Sequence, residues 1–245
     1  MLISIKLDEV IYIKNLVFVR ASDKSLHKEW IEPKNAKTFE LYIEYYGEHP
    51  KRYREDADYY SHNQTGTKFP RFFDIISQNQ SLLNDFDAVW IVDDDISISA
   101  DTISSMFELF HLHHLWLAQP ALTKHSNLSF PTLFQDPQYT LRYTNFIEAM
   151  APIFSKSALQ KCWRTFEKST SGWGLDFVWP KLLEYPSDRI AVIDATPISH
   201  TRVSGDLYSS INVNPFDEMN HVCEIYAVRN EVDKIKIFGG IPNEN

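Results

Sequence analysis

Short apolar runs alternate with polar stretches along the chain, and their lengths and periods sort them into strands and helices. NLVFVRA (Asn15–Ala21) is rich in Val and Phe and ends in polar residues, the pattern of a buried strand feeding a loop. LISI (Leu2–Ile5) is a shorter run of the same kind, and FELYIEYYG (Phe39–Gly47) is a strand candidate closed by Gly47. FPRFFDIISQNQSLL (Phe69–Leu83) has helical spacing, with Pro70 near its start, where a missing N–H is tolerated. DAVWIV (Asp87–Val92) predicts a short strand. Ile103, Met106, Phe107 and Phe110 then repeat at three and four over a helix from Ala100 to Phe110. LWLAQP (Leu115–Pro120) predicts a further strand. This alternation of strand and helix argues for an α/β layer structure.

The remaining stretches read less regularly. Residues 48–68 are polar and tyrosine-rich, a long loop or a broken helix, and loops of that length often serve an active site. Ala121–Thr144 reads as surface connections over the sheet edge. FIEAMAPIFS (Phe146–Ser155) resembles a strand interrupted near Pro152, followed by a helix over Lys156–Phe166. STSGWG is a glycine-rich turn before the helical LDFVWPKLLEY, which Pro180 kinks or interrupts. IAVID (Ile190–Asp194) predicts a strand, HVCEIYAVRNEV a C-terminal helix, and GGIPNEN a frayed end. With no internal repeat and no low-complexity linker, one domain over residues 1–245 is expected. Residues 206–245 are expected as a C-terminal extension packed on it.

Composition narrows the function. Aromatic residues make up 14% of 245 positions, which excludes wholesale disorder. Against 24 Lys and Arg stand 33 Asp and Glu, a net charge of -9, so non-specific nucleic-acid binding is not expected. Cys162 and Cys223 have no paired spacing, which fits a reducing, intracellular setting. No apolar stretch has the length of a membrane span, and MLISIKLDEV lacks the order of a signal peptide. A cytoplasmic protein is expected, with peripheral attachment to the inner membrane face left open.

The sharpest chemical feature is Asp93-Asp94-Asp95 directly after DAVWIV. Adjacent carboxylates repel one another, and none belongs in an apolar core unless paired. In extended chain Asp93 and Asp95 face one side and Asp94 the other. Strand ends in α/β sheets are where ligands bind, and a hard cation such as Mg2+ or Mn2+ takes oxygen ligands. The competing reading is a solvated acidic turn capping the next helix. His200 in DATPISHTR is either a third metal ligand or an exposed loop residue.

Gly172-Trp173-Gly174-Leu175-Asp176 is the second unusual cluster. Two glycines around a tryptophan suggest a tight turn that presents the ring, with Asp176 in the first turn of the next helix. The helix N-terminus would stabilise an ionised Asp176, able to take a proton from a hydroxyl. An ordinary helix start with a core tryptophan is the competing reading. Arg20, Lys68 and Arg202 are candidates for phosphate or ribose contacts, or form surface salt bridges. Phosphate-loop, dinucleotide-binding and serine-hydrolase patterns are missing.

Taken in order, NLVFVRASDKSLHKEW, TGTKFPRF, DAVWIVDDDIS, GWGLD and ISHTR resemble the family of unknown function DUF707, over roughly residues 15–205. That family resembles nucleotide-sugar glycosyltransferases of the GT-A fold, with bacterial members often associated with surface polysaccharide synthesis. The resemblance implies a single GT-A-like, Rossmann-related α/β domain with a mixed central sheet flanked by helices. It implies a nucleotide-sugar donor and a glycan or lipid-linked glycan acceptor. The D-x-D motif of such enzymes corresponds to Asp93-Asp94-Asp95. Asp93, Asp95 and His200 would then hold Mn2+ or Mg2+, and Asp94 would touch the substrate. Gly172-Trp173-Gly174-Leu175-Asp176 is similar to the G-W-G-x-E-D signature of inverting galactosyltransferases, with Leu175 in place of the Glu. Trp173 and Gly174 would then line the substrate site, and Asp176 would be the base. A non-catalytic carbohydrate- or nucleotide-binding protein and a metal-dependent phosphohydrolase are the competing classes.

Overall fold

The computed structural model describes residues 13–127, 130–202, 212–229 and 234–244. The Leu2–Ile5 strand expectation lies outside them. In chain order the regular elements begin with β1 (Asn15–Ala21), α1 (His27–Trp30), β2 (Glu40–Tyr45), β3 (Tyr59–His62) and α2 (Lys68–Gln78). They continue with α3 (Ser81–Asn84), β4 (Ala88–Val92), β5 (Ile96–Ser97), α4 (Ala100–Leu112), β6 (Leu117–Leu122) and β7 (Tyr139–Thr144). The last are β8 (Ile153–Ser155), α5 (Lys156–Cys162), α6 (Leu175–Leu182), β9 (Ile190–His200), α7 (Pro215–Ile225) and β10 (Ile237–Pro242).

The strands form one mixed sheet in the order β10-β7-β9-β6-β8-β4-β1-β2-β3, with β5 paired to the end of β9. β3, β2, β1 and β4 run parallel, and β8 is antiparallel to both β4 and β6. All seven residues of β1 are buried because both faces of the sheet are covered. Val17, Val19 and Ala21 join the core on one face, and Leu16 and Phe18 join the core on the other. α4 seals the first face with Ile103, Met106, Phe107 and Phe110, as its spacing predicts. α2 seals the second with Phe69, Phe72, Ile75 and Ile76. Burying a side chain of that size contributes roughly 1.5–3 kcal/mol. Ser99 caps α4 by accepting from the Thr102 amide. α5 runs into a 3-10 turn at Trp163–Lys168, which accounts for the helix expected through Phe166.

Several expectations of irregular chain are corrected. Residues 48–68 contain edge strand β3, whose polar sequence YYSH hides its pairing with Tyr42–Tyr45. Ala121–Thr144 is not all surface connection. Its last six residues are β7, which pairs antiparallel with β9 inside the sheet. There the Arg142 side chain is buried and paired with Asp194, so a charged residue sits in a strand interior. The expected frayed end begins in β10, which pairs with β7. Glycine is needed in that strand: a Cβ at Gly240 would lie 2.3 Å from the Leu141 carbonyl oxygen. The Phe146–Ser155 strand shrinks to Ile153–Ser155, and the segment before it serves the site. Among the described residues no helix is long and apolar enough to cross a membrane.

Candidate active site

The acidic triplet leaves the end of β4 and continues its alternation. Asp93 turns toward the α2 face, where its Oδ1 lies 2.7 Å from Lys68 Nζ. Asp94 turns the other way. Its Oδ2 accepts from the Ser22 amide at 2.6 Å and from Ser22 Oγ at 2.5 Å, and its Oδ1 pairs with Arg202 Nη2. Asp95 Oδ2 lies 3.2 Å from His200 Nε2 and 3.4 Å from Arg202 Nε. The last contacts exist because β5 pairs antiparallel with the end of β9, setting Ile96 opposite His200. Thr201 reinforces them by donating its amide and its hydroxyl to the Asp95 carbonyl.

The expected Mn2+ or Mg2+ centre on Asp93, Asp95 and His200 is therefore corrected. Among the described residues no three His, Cys, Asp or Glu side chains are grouped to hold a metal ion. The reason is visible in the pairing. His200 Nδ1 lies 3.1 Å from the Asn127 carbonyl oxygen, and Nε2 faces the Asp95 carboxylate. Both ring nitrogens thus meet acceptors, which calls for a proton on each and leaves no lone pair for a metal. Burial opposes the charged ring, but the hydrogen bond and charge of Asp95 outweigh it and raise the His200 pKa. The same partner holds the Asp95 pKa below the ordinary carboxylate value despite burial. Lys68, His200 and Arg202 supply the positive charge that the sequence reading assigned to an ion.

Arg20 and Lys68 are not open to solvent-side ligands. Arg20 stands opposite Glu44 in the β1–β2 register, with Nη1 2.7 Å from Glu44 Oε2. It also donates to the carbonyls of Asn63 and Thr65, tying down the loop before α2. Arg71 takes the other Glu44 oxygen at 2.7 Å. Besides Asp93, Lys68 Nζ donates to the carbonyls of Ala149 and Met150, both at 2.8 Å.

The Gly-Trp-Gly turn lies across residues 145–151 from the triplet. Gly172 and Gly174 have φ of +87° and +91°, the left-handed region that glycine adopts freely. A Cβ on Gly174 would also press to 3.1 Å from the Met219 carbonyl oxygen and from Val222 Cβ on α7. Glu218 of α7 staples the turn. It accepts from the amides of Thr170 at 2.7 Å and Ser171 at 2.6 Å, and from the hydroxyls of Ser169 and Ser171. Burial would raise the Glu218 pKa, but these donors lower it. A depressed carboxyl contributes stability above its ordinary pKa of 4.5, lost as pH falls through the folded value. Glu218→Gln is expected to lose about 1–2 kcal/mol at pH 7. Thermal melts of variant and wild type should converge as the pH drops below 4.5; parallel melts at every pH would contradict the staple.

Trp173 is partly exposed and meets Phe216 of α7 edge-on, with centroids 5.0 Å apart. Asp176, only 7% exposed, lies in the first turn of α6. Burial first, and then the charge of Glu148, push its pKa up to about 8, against backbone donors that include the Phe177 amide. The carboxyl therefore exchanges a proton near neutral pH, the range suited to a general base.

The structure thus brings Asp93, Asp94, Asp95, Lys68, His200 and Arg202 together. It sets Trp173, Gly174 and Asp176 on the adjoining turn and leaves Arg20 as a strut. Sequence reasoning missed Ser22, Glu44, Asn127, Glu148 and Glu218. Only Glu218 had a local signal: Asn-Pro-Phe-Asp-Glu at 214–218 reads as a helix start rich in acid.

Comparison with known proteins supports this architecture. No curated protein matches the chain significantly. Among solved structures, that of Staphylococcus aureus TarS residues 1–349 in complex with UDP-GlcNAc aligns over 88% of this chain, with a TM-score of 0.58 and 16% identity. The chain spans 65% of that TarS chain. A second TarS 1–349 structure aligns with a TM-score of 0.54 and 14% identity over 88% of this chain and 70% of that one. At these identities the likeness shows the fold, a single GT-A-like α/β domain with a mixed central sheet flanked by helices. Residues 135–238 match the family model described as "Protein of unknown function (DUF707)". The matched stretch carries Glu148, Trp173, Asp176, His200 and Arg202.

Proposed function

We propose that the chain transfers a sugar from a nucleotide-sugar donor to a hydroxyl of a glycan or lipid-linked glycan acceptor, in the manner of surface polysaccharide synthesis. One observation carries this reading. A charge-compensated acidic triplet under Arg202 and a buried carboxyl poised near neutral pH meet across residues 145–151 on a GT-A-like sheet. In this reading Arg202, partly exposed beside Asp94 and Asp95, stabilises the charge that develops on the diphosphate leaving group. Asp176 takes the proton of the acceptor hydroxyl as its oxygen attacks the sugar from the opposite face, giving inversion. Trp173 offers an aromatic surface to the apolar face of a sugar ring, next to the αL turn at Gly174.

The UDP-GlcNAc named with the TarS structure makes that compound the first donor to test. The experiment is titration calorimetry of the chain with UDP, followed by a screen of nucleotide sugars for slow hydrolysis and of glycans as acceptors. Arg202→Ala should weaken UDP binding about tenfold or more, since it removes a charge-assisted contact of roughly 1.5–3 kcal/mol. Equal affinity would place the diphosphate elsewhere. A binding protein without catalysis retains UDP affinity and shows no turnover with any acceptor. A metal-dependent phosphohydrolase needs a ligand set that the described residues do not group.

A further inference from the structure

Residues 145–151 form a rigid bracket between the acidic triplet and the Asp176 turn. Lys68 grips the carbonyls of Ala149 and Met150, and the Asp93 amide donates to the Met150 carbonyl at 3.1 Å. The Glu148 amide donates at 2.6 Å to Oε1 of Gln119, a fully buried residue of β6. Phe146 packs on Phe177 with ring centroids 5.2 Å apart, and Ala149 sits beside Gly172. The backbone of Glu148 is thus pinned from the triplet side, from the sheet and from the turn. Its side chain is half-buried, and its charge acts on the carboxyl of Asp176, which lies next to Phe177. Two carboxyl groups on separate segments, coupled through charge, one buried and one half-buried, divide into a proton acceptor and a ligand for the acceptor's hydroxyls.

We propose that Glu148 is the positioning carboxylate of the acceptor side, orienting the hydroxyl that Asp176 deprotonates. The inference rests on the transferase reading above. In the step, the acceptor O–H bond breaks and its proton passes to the Asp176 carboxylate. The oxygen bonds to the sugar's anomeric carbon, and the electron pair of the breaking carbon–oxygen bond leaves with the nucleoside diphosphate. Glu148 accepts a hydrogen bond from a neighbouring hydroxyl of the acceptor, which holds the reacting hydroxyl against Asp176. Burial first, and then the charge of Glu148, raise the proton affinity of Asp176.

The test uses the full chain labelled with carboxyl 13C aspartate, and it titrates Asp176 in wild type, Glu148→Gln and Glu148→Asp. The Asp176 resonance is assigned by its loss in Asp176→Asn. In Glu148→Gln the midpoint should fall by about one unit, and in Glu148→Asp it should stay near the wild-type value. An unchanged midpoint in Glu148→Gln overturns the pairing. With the donor and acceptor found in the screen, Glu148→Gln should also lower the ratio of transfer to donor hydrolysis at least about tenfold, the effect of losing one charged hydrogen bond. UDP affinity should be unchanged. An unchanged ratio overturns the acceptor role. Absence of UDP binding in the wild type would instead sink the transferase reading, and the titration would still report the pairing on its own.

Discussion

Asp176→Asn should lower sugar transfer at least about a hundredfold and at the same time make the protein more stable at neutral pH. The activity loss follows from removing the proposed base, a contribution of roughly 10²–10⁴-fold for a positioned side chain. The stability gain follows from linkage. The carboxyl pKa is raised from 3.8 to about 8, so the folded state binds a proton that the unfolded state releases. A raised carboxyl opposes folding progressively as pH climbs from 3.8 through about 8. Asparagine has nearly the same shape and no proton to gain. At pH 7 the variant should gain up to about 4 kcal/mol, read as a higher urea midpoint, with the gain vanishing near pH 4. The wild-type rate should climb with pH up to about 8, as the basic form becomes populated. Full turnover in Asp176→Asn would move the base to another residue. Unchanged stability at every pH would mean that Asp176 is solvated in solution.

Glu44→Ala should lose about 3–5 kcal/mol, because it leaves two arginines without the carboxylate that joins them. Glu44 is fully buried, and its two oxygens are divided between Arg20 and Arg71. Arg20 in turn holds the carbonyls of Asn63 and Thr65, just ahead of Thr67 and Lys68 at the start of α2. Thr67 bonds the Thr170 carbonyl beside the Gly-Trp-Gly turn. Loss of the Glu44 node should therefore loosen both the Lys68–Asp93 pair and the turn. Urea denaturation gives the loss of stability, and hydrogen exchange should show faster amide exchange at residues 63–68 and 170–174. A denaturation midpoint equal to wild type would contradict the strut role and return Arg20 to the candidates for direct donor contact.

Much of the frame was legible from short-range pattern. β1, β2, β4 and α4 fall where apolar runs and three-four spacing place them, because these segments bury one face or both against the same core. β3, β7 and β10 were hidden for a common reason. YYSH, YTLRYT and IFGGIP carry polar residues, an arginine or glycines, and become strands by pairing with a formed neighbour rather than by their own hydrophobicity. The chemistry divided in a similar way. The Asp triplet and the Gly-Trp-Gly-Leu-Asp cluster announced themselves by local composition, and each marks one side of the candidate site.

What those carboxylates meet was not legible in the same way. Carboxylates at a strand end satisfy the demands of a metal ion and of basic side chains equally well, so the motif reads the same in both cases. The choice is made by His200 at the end of β9 and Arg202 just beyond it, by Lys68 at the start of α2 and by the Asn127 carbonyl, all distant in sequence. Glu148 and Glu218 likewise gain their meaning only when residues 145–151 and α7 close on the turn before α6. Local periodicity reports which face of an element is buried. Proton affinity and ion pairing depend on groups a few ångströms away in space, and those distances exist only once the sheet has formed.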